Sequence, residues 1–187
     1  MRIIGGACRG RRLAVVGKGD EAARLRPTSD RVRESLFNVL MARYGERVVG
    51  ASVLDLFAGT GALGLEALSR GAERAVFVEQ GRVGQKLLRE NIALCGFAAC
   101  TQVMARDARK LGPAPQAHDL VFLDPPYGKA LGEAALRTAR QGGWIAQDAL
   151  IIWEEGGAVE VANGLKLEDE RAYGDTFIRI LTCTSPS

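Results

Sequence analysis

The chain has 187 residues, of which 47% are hydrophobic and 25% charged; this ordinary globular composition excludes a disordered or fibrous protein and leaves enough core to fold without disulfides or structural metals. The net charge of +3 divides unevenly, with 11 Lys/Arg against 5 Asp/Glu (+6) in residues 1–50 and 14 against 17 (−3) in residues 51–187. A basic front end on a mildly acidic body points to an acidic polymer as partner.

In chain order, residues 1–27 are rich in Gly and Arg, with Ile3-Ile4 and Leu13–Val16 as short strand-like runs around an Arg9-Gly-Arg-Arg12 turn. This reads as a β-hairpin arm. Pro27 precedes three candidate N-caps, Thr28, Ser29 and Asp30. Val32, Leu36, Phe37, Leu40 and Tyr44 then recur at helical spacing up to Gly45, leaving Arg31, Arg33 and Arg43 for the other faces of the helix. From residue 51 strands alternate with helices: strand 52–57, helix 62–70, strand 74–79, helix 82–95, strand 99–104, a Pro/Ala loop, strand 120–124, helix 129–140 and strand 149–154. In helix 82–95, Val83, Leu87, Leu88, Ile92 and Cys95 fall on one side. Segments 165–170 and 176–183 read as a terminal antiparallel pair. Such alternation implies an α/β fold with a mostly parallel sheet covered on both faces.

The cysteines Cys8, Cys95, Cys100 and Cys183 form no C-x-x-C pair and are joined by a single histidine, His118, so a zinc cluster is excluded. Four free thiols fit a reducing cytoplasm, and the cysteines read as small buried hydrophobes. His118, Trp144 and Trp153 read as structural. No apolar run approaches the ~20 residues needed to span a bilayer.

Asp55-Leu-Phe57-Ala58-Gly59-Thr60-Gly61-Ala-Leu-Gly64 lies between the first strand and its helix and contains G-x-G-x-x-G. Glycines there allow a tight bend and close approach of a ligand to the backbone. Glu79 ends the second strand, where a carboxylate can accept hydrogen bonds from ribose hydroxyls, and Asp107 follows the third, near where an adenine would lie. Together these features indicate an adenosine-containing ligand, NAD or S-adenosylmethionine. Asp55 favours the second, because an acid at the strand end pairs with an ammonium and repels a pyrophosphate.

Leu120-Val-Phe-Leu-Asp124-Pro125-Pro126-Tyr127 closes a strand with two prolines. Lacking two N–H donors, this turn offers acceptors, the Asp124 carboxylate and the Pro125 carbonyl, to one amino group. Two acceptors localise the lone pair of an aryl amine and offset the positive charge that forms as it attacks a methyl sulfonium. Tyr127 supplies a face on which a base stacks.

These residues resemble the class I S-adenosylmethionine-dependent methyltransferases that act on exocyclic amines. The Arg2-Ile-Ile-Gly-Gly6 segment with Arg9–Arg12, the Arg26-Pro-Thr-Ser-Asp-Arg-Val-Arg-Glu-Ser-Leu-Phe-Asn38 helix, the 55–71 block and the 124–127 motif resemble, in that order, the bacterial RsmD-type methyltransferases of small-subunit (16S) ribosomal RNA. The resemblance covers nearly the whole chain, and only loosely beyond about residue 156. It implies a Rossmann-like, seven-stranded fold with an N-terminal extension, and methylation of the 2-amino group of a guanine in 16S ribosomal RNA. By position, Asp55, Phe57, Ala58, Gly59, Thr60 and Gly61 would hold the methionyl end of S-adenosylmethionine, Glu79 its ribose and Asp107 its adenine. Asp124, Pro125, Pro126 and Tyr127 would position the guanine. Arg106 stands where relatives often have glycine.

Arg9, Arg11, Arg12, Arg24 and Arg26 are the expected RNA contacts, because neutralising phosphates gives affinity that falls with salt. The resulting expectation is one cytoplasmic, monomeric catalytic domain spanning residues 1–187, with a basic arm and helix (1–50), a core (51–183) and a frayed tail (184–187). Methylation of adenine in DNA, an NAD-dependent oxidoreductase and a non-catalytic RNA-binding module are the alternatives.

Overall fold

A computed structural model describes residues 1–15, 29–126, 130–157 and 161–184. Seven strands form one sheet: β1 (Ser52–Leu56), β2 (Arg74–Val78), β3 (Thr101–Met104), β4 (His118–Leu123), β5 (Ile145–Glu155), β6 (Leu165–Tyr173) and β7 (Thr176–Cys183). Their order is β3-β2-β1-β4-β5-β7-β6. β1 to β5 run parallel, and β7 is antiparallel to both β5 and β6, in line with the expected terminal pair. This is the expected Rossmann-like α/β architecture. The chain steps outward from β1 to β2 and β3, then returns to place β4 on the other side of β1. The carboxyl ends of β1 and β4 therefore flank the point where strand order reverses, the place where open α/β sheets bind ligands.

Pleating divides the core. Val53, Ala75, Phe77, Leu120, Phe122, Leu150 and Ile152 face one side with helices α1 (Asp30–Tyr44), α2 (Ala62–Ser69) and α3 (Arg82–Cys95). Leu54, Leu56, Val76, Val78, Val121, Leu123, Ile151 and Trp153 face the other, under α4 (Leu131–Gln141) and the β3–β4 loop, which contributes Ala108 and Leu111. On that side a loop takes the place of a helix.

One expectation holds and three are corrected. The arm is the expected antiparallel hairpin, though a short one: Arg2 bridges Arg12, the Ile3 amide donates to Arg11 O at 2.9 Å and the Leu13 amide to Met1 O at 3.2 Å, and residues 1–15 are folded down onto α2. Ile3 and Leu13 are buried, and the backbone amides of Ile4 and Gly5 donate to the Glu66 carboxylate at 2.7 and 2.8 Å. Arg33 is not on a solvent face of α1. It is fully buried, donating to Asp30 Oδ1 at 2.8 Å and to the Arg2 carbonyl, with Glu66 3.8 Å away. Val83 is exposed, because α3 presents Gly84, Leu88, Asn91, Ile92 and Cys95 inward. Of the cysteines only Cys95 is buried; Cys8, Cys100 and Cys183 are half-buried. Burial pushes the Cys95 thiol up to about 11, with Cys8 beside it adding to the rise.

His118, Trp144 and Trp153 are packed in the interior. His118 stands at the start of β4, stacks on Trp144 at 6.0 Å and shares a 2.8 Å hydrogen bond between Nδ1 and Ser52 Oγ. Burial, and secondarily Arg74, hold its pKa down near 4. Among the described residues no helix is long and apolar enough to cross a membrane.

Candidate functional site

The glycine turn opens with strain. Phe57, directly after β1, has φ +62°, a left-handed conformation that costs a non-glycine residue roughly 1–2 kcal/mol. Gly59 and Gly61 follow at φ +55° and +80°. A Cβ on Gly61 would also lie 2.4 Å from Leu88 Cδ1, so both conformation and space require glycine there. The Ala58 amide donates to Val78 O at 3.0 Å and the Gly61 amide to Ala58 O at 2.7 Å, tying the turn to β2 and to itself.

Three acids frame it. Asp55, buried within β1, accepts a 3.0 Å hydrogen bond from the Gly64 amide in the first turn of α2. Glu79, just beyond β2, accepts from the Gly59 amide at 2.8 Å and from the Gly81 amide at 2.5 Å. It thus joins the first βα turn to the second. Gly64 is needed for this fit, since a Cβ would meet the Phe77 ring at 2.4 Å and Asp55 Oδ2 at 3.0 Å. Asp107 lies farther along the same edge, in the loop after β3. Its carboxylate is already held by Arg109, through Nε at 3.0 Å and Nη2 at 2.6 Å, and this pairing lowers its pKa.

Asp124 follows β4 immediately beside β1, its amide 3.5 Å from Leu56 O, with Pro125 buried and Pro126 exposed. Tyr127 lies outside the described residues. Glu154 and Glu155, both buried, end β5 on the far side of Asp124. Sequence reasoning missed them, although an acidic pair at the carboxyl end of an apolar strand was the available signal. Burial, and then Glu154, Asp55 and Glu155 in that order, raise the Asp124 pKa well above the usual carboxylate range. Asp55 is likewise raised to about 7, mainly by burial and further by Glu79, while the Gly64 hydrogen bond opposes the rise.

The carboxyl edge is therefore an array of partly desolvated acids that suits a cation and repels a pyrophosphate. A stability consequence follows. The unfolded chain releases the Asp55 proton near pH 3.8, whereas the native state keeps it until about 7. Between those values the native state binds more protons, so stability falls as pH rises from about 4 and levels off above about 7. Thermal melts of the protein across this range are expected to decline, and Asp55→Asn to decline less; equal slopes would contradict the assignment.

The arm also reaches this edge. Asn91 of α3, fully buried, accepts from the Ala14 amide at 2.7 Å and donates to Ala14 O at 3.1 Å and Thr60 O at 2.9 Å. Met1 Sδ lies 3.9 Å from Thr60 Oγ1. At the other extreme, Cys8 contacts Ser69 Oγ and Cys95 O, at the ends of α2 and α3. Arg9, Arg11 and Arg12 are exposed along the segment between these two anchors. Arg24 and Arg26 lie outside the described residues.

The sequence profile of a family described as "Conserved hypothetical protein 95" matches residues 1–182. The chain belongs to this family. It is 42% identical to the ribosomal RNA small subunit methyltransferase D of Escherichia coli (strain K12), over 96% of this chain and 88% of that protein. The Haemophilus influenzae protein of the same name is 37% identical, over 82% of this chain and 78% of its own length. Among solved structures, Escherichia coli yhhF, described as a candidate methyltransferase, superposes with a TM-score of 0.84 at 38% identity and covers 100% of this chain and 99% of that one. A family match of this extent takes in the arm and the carboxyl edge together.

Proposed function

We propose that this protein is an S-adenosylmethionine-dependent methyltransferase that modifies the exocyclic 2-amino group of a guanine in 16S ribosomal RNA. The observation that carries the proposal is the placement of an acceptor-only turn, Asp124-Pro125-Pro126, on the strand adjoining the Asp55–Gly61 turn at the switch point of the sheet. The names of the Escherichia coli and Haemophilus influenzae relatives support ribosomal RNA of the small subunit as substrate.

The donor set fits the cofactor: carboxylates for an ammonium and for ribose hydroxyls, and no basic side chain between Asp55 and Leu68 that would call for a phosphate. Asp55, with Phe57 to Gly61, would hold the methionyl end, and Glu79 the ribose. Asp107 would reach the adenine only by sharing the carboxylate that Arg109 now engages. When bound, S-adenosylmethionine supplies a methyl group already activated on a sulfonium. Asp124 and the Pro125 carbonyl accept hydrogen bonds from the incoming amine, aim its lone pair and offset the charge that develops on nitrogen. Ionised Asp124 is the competent form, and positive charge brought among Asp55, Asp124, Glu154 and Glu155 favours it. Tyr127 would stack on the guanine.

The test is transfer of a labelled methyl from S-adenosylmethionine to undermethylated small-subunit RNA, with mapping of the modified base. Transfer to guanine N2 is expected. Transfer only to DNA adenine would replace the substrate assignment, and absence of any binding of S-adenosylhomocysteine would overturn the enzyme assignment. For the arm, Arg9→Gln, Arg11→Gln and Arg12→Gln combined should weaken RNA binding and reduce the slope of log K against log salt by roughly 0.7–0.9 for each phosphate that is no longer neutralised. Binding isotherms at several salt concentrations measure this, and an unchanged slope would remove these arginines from the interface.

A further inference from the structure

Resting on that reading, we infer that Asn91 is a positioning residue that makes the shape of the cofactor turn depend on the docking of the basic arm. The side chain uses both of its N–H donors and its carbonyl oxygen on two distant backbone segments. Toward the arm it pairs with both the N–H and the C=O of Ala14, as a neighbouring strand would. Toward the cofactor turn its remaining Nδ2 hydrogen goes to the carbonyl of Thr60, the residue between the two left-handed glycines Gly59 and Gly61. One amide thus bridges positions 14 and 60 from a helix that belongs to neither.

The environment makes the bridge consequential. Asn91 and Thr60 are both buried, so a Thr60 carbonyl that loses this bond has no water to turn to, whereas the half-buried Ala14 groups are the weaker side of the bridge. Leu88, one turn earlier on α3, fills the space beside Gly61, so the helix that carries Asn91 already sets one wall of the turn. The Met1 contact with Thr60 Oγ1 brings the other stem of the arm to the same residue. The segment bearing Arg9, Arg11 and Arg12 is therefore fastened at both stems to the residue at the centre of the cofactor turn. Asn91 itself touches neither cofactor nor RNA.

Two variants break the bridge from opposite sides. Asn91→Asp keeps the shape and the acceptor for the Ala14 amide, but places a lone pair where Nδ2 donates. Ala14→Pro removes the arm's N–H and leaves α3 and the turn untouched. Each is expected to weaken S-adenosylhomocysteine binding about tenfold by calorimetry and to raise KM for S-adenosylmethionine with kcat within about twofold; the double variant should be no worse than either single one, because both cut the same link. Hydrogen exchange on the free protein supplies a readout independent of the cofactor. The Gly61 and Gly59 amides should exchange faster in both variants, while amides of β7 such as Ile180 keep their protection. Acceleration spread evenly through turn and sheet, or a turn that exchanges as in the wild type, would overturn the inference. A wild-type protein that bound no S-adenosylhomocysteine would instead remove the proposed function, with the exchange data still deciding the role of Asn91.

Discussion

Asp124→Ala is expected to lower methyl transfer by about a thousandfold while leaving S-adenosylhomocysteine affinity within about twofold, the loss typical of removing one preorganised polar group aimed at developing charge. The separation of effects follows from position. Asp124 directly follows β4, whereas the turn, Asp55 and Glu79 lie on or just beyond β1 and β2 and keep their hydrogen bonds to Gly64, Gly59 and Gly81 without it. Unfolding cannot imitate the result. Asp124 is a desolvated acid among Glu154, Asp55 and Glu155, each of which raises its pKa, so removing it relieves desolvation and like-charge repulsion. The variant should melt no lower than the wild type near neutral pH. Single-turnover transfer, calorimetric affinity and a thermal melt on one preparation check the three parts. Undiminished transfer would remove Asp124 from the chemistry, and a matching loss of cofactor affinity would place it in the cofactor site instead.

The parts of this site that were legible in the sequence are those built from local chain. A strand followed by Asp55 to Gly64 announces a βα turn because glycine at φ +55° and +80° is a local requirement. Asp124-Pro-Pro announces a strand end because proline cannot continue a central strand. Strand–helix alternation points to the parallel sheet, and the helix-free terminal segments to its antiparallel edge. What stayed hidden depends on partners far away in the chain. Arg33 sits among Arg31, Glu34 and Asn38 and reads as one more polar helix residue; only the approach of Arg2 and Glu66 explains a buried guanidinium. Asn91 resembles any polar residue of an amphipathic helix until position 14 and position 60 are brought to it across 77 and 31 residues. The hairpin of the arm was legible, pairing residues 1–3 with 11–13, but its docking was hidden for the same reason. Ile3 and Leu13 have strand-like neighbours, but the amides of Ile4 and Gly5 are satisfied by a carboxylate on α2 and not by a second strand.

Glu66 is the residue on which that arrangement turns, and Glu66→Ala should destabilise the protein by about 3–5 kcal/mol, the range for removing one partner of a buried ion pair. Four groups converge on its carboxylate, which is fully buried. Oε2 accepts from the Ile4 amide at 2.7 Å, with Arg33 Nε 3.8 Å away; Oε1 accepts from the Gly5 amide and Arg70 Nε, both at 2.8 Å. Alanine would leave the Arg33 guanidinium without its buried counter-charge and two amides without acceptors. A urea titration measures the loss as a fall in midpoint, and exchange protection at Ile4 and Gly5 should vanish first. Glu66→Gln keeps a carbonyl acceptor for one amide but not the charge, so it should lie between alanine and wild type. Pairing Glu66→Leu with Arg33→Met removes the buried cation along with its counter-charge and should recover only part of the loss, since the Ile4 and Gly5 amides remain unpartnered in either case. Full recovery would mean that the ion pair alone holds the arm. A wild-type midpoint in Glu66→Ala would mean that α2 does not anchor the arm at all.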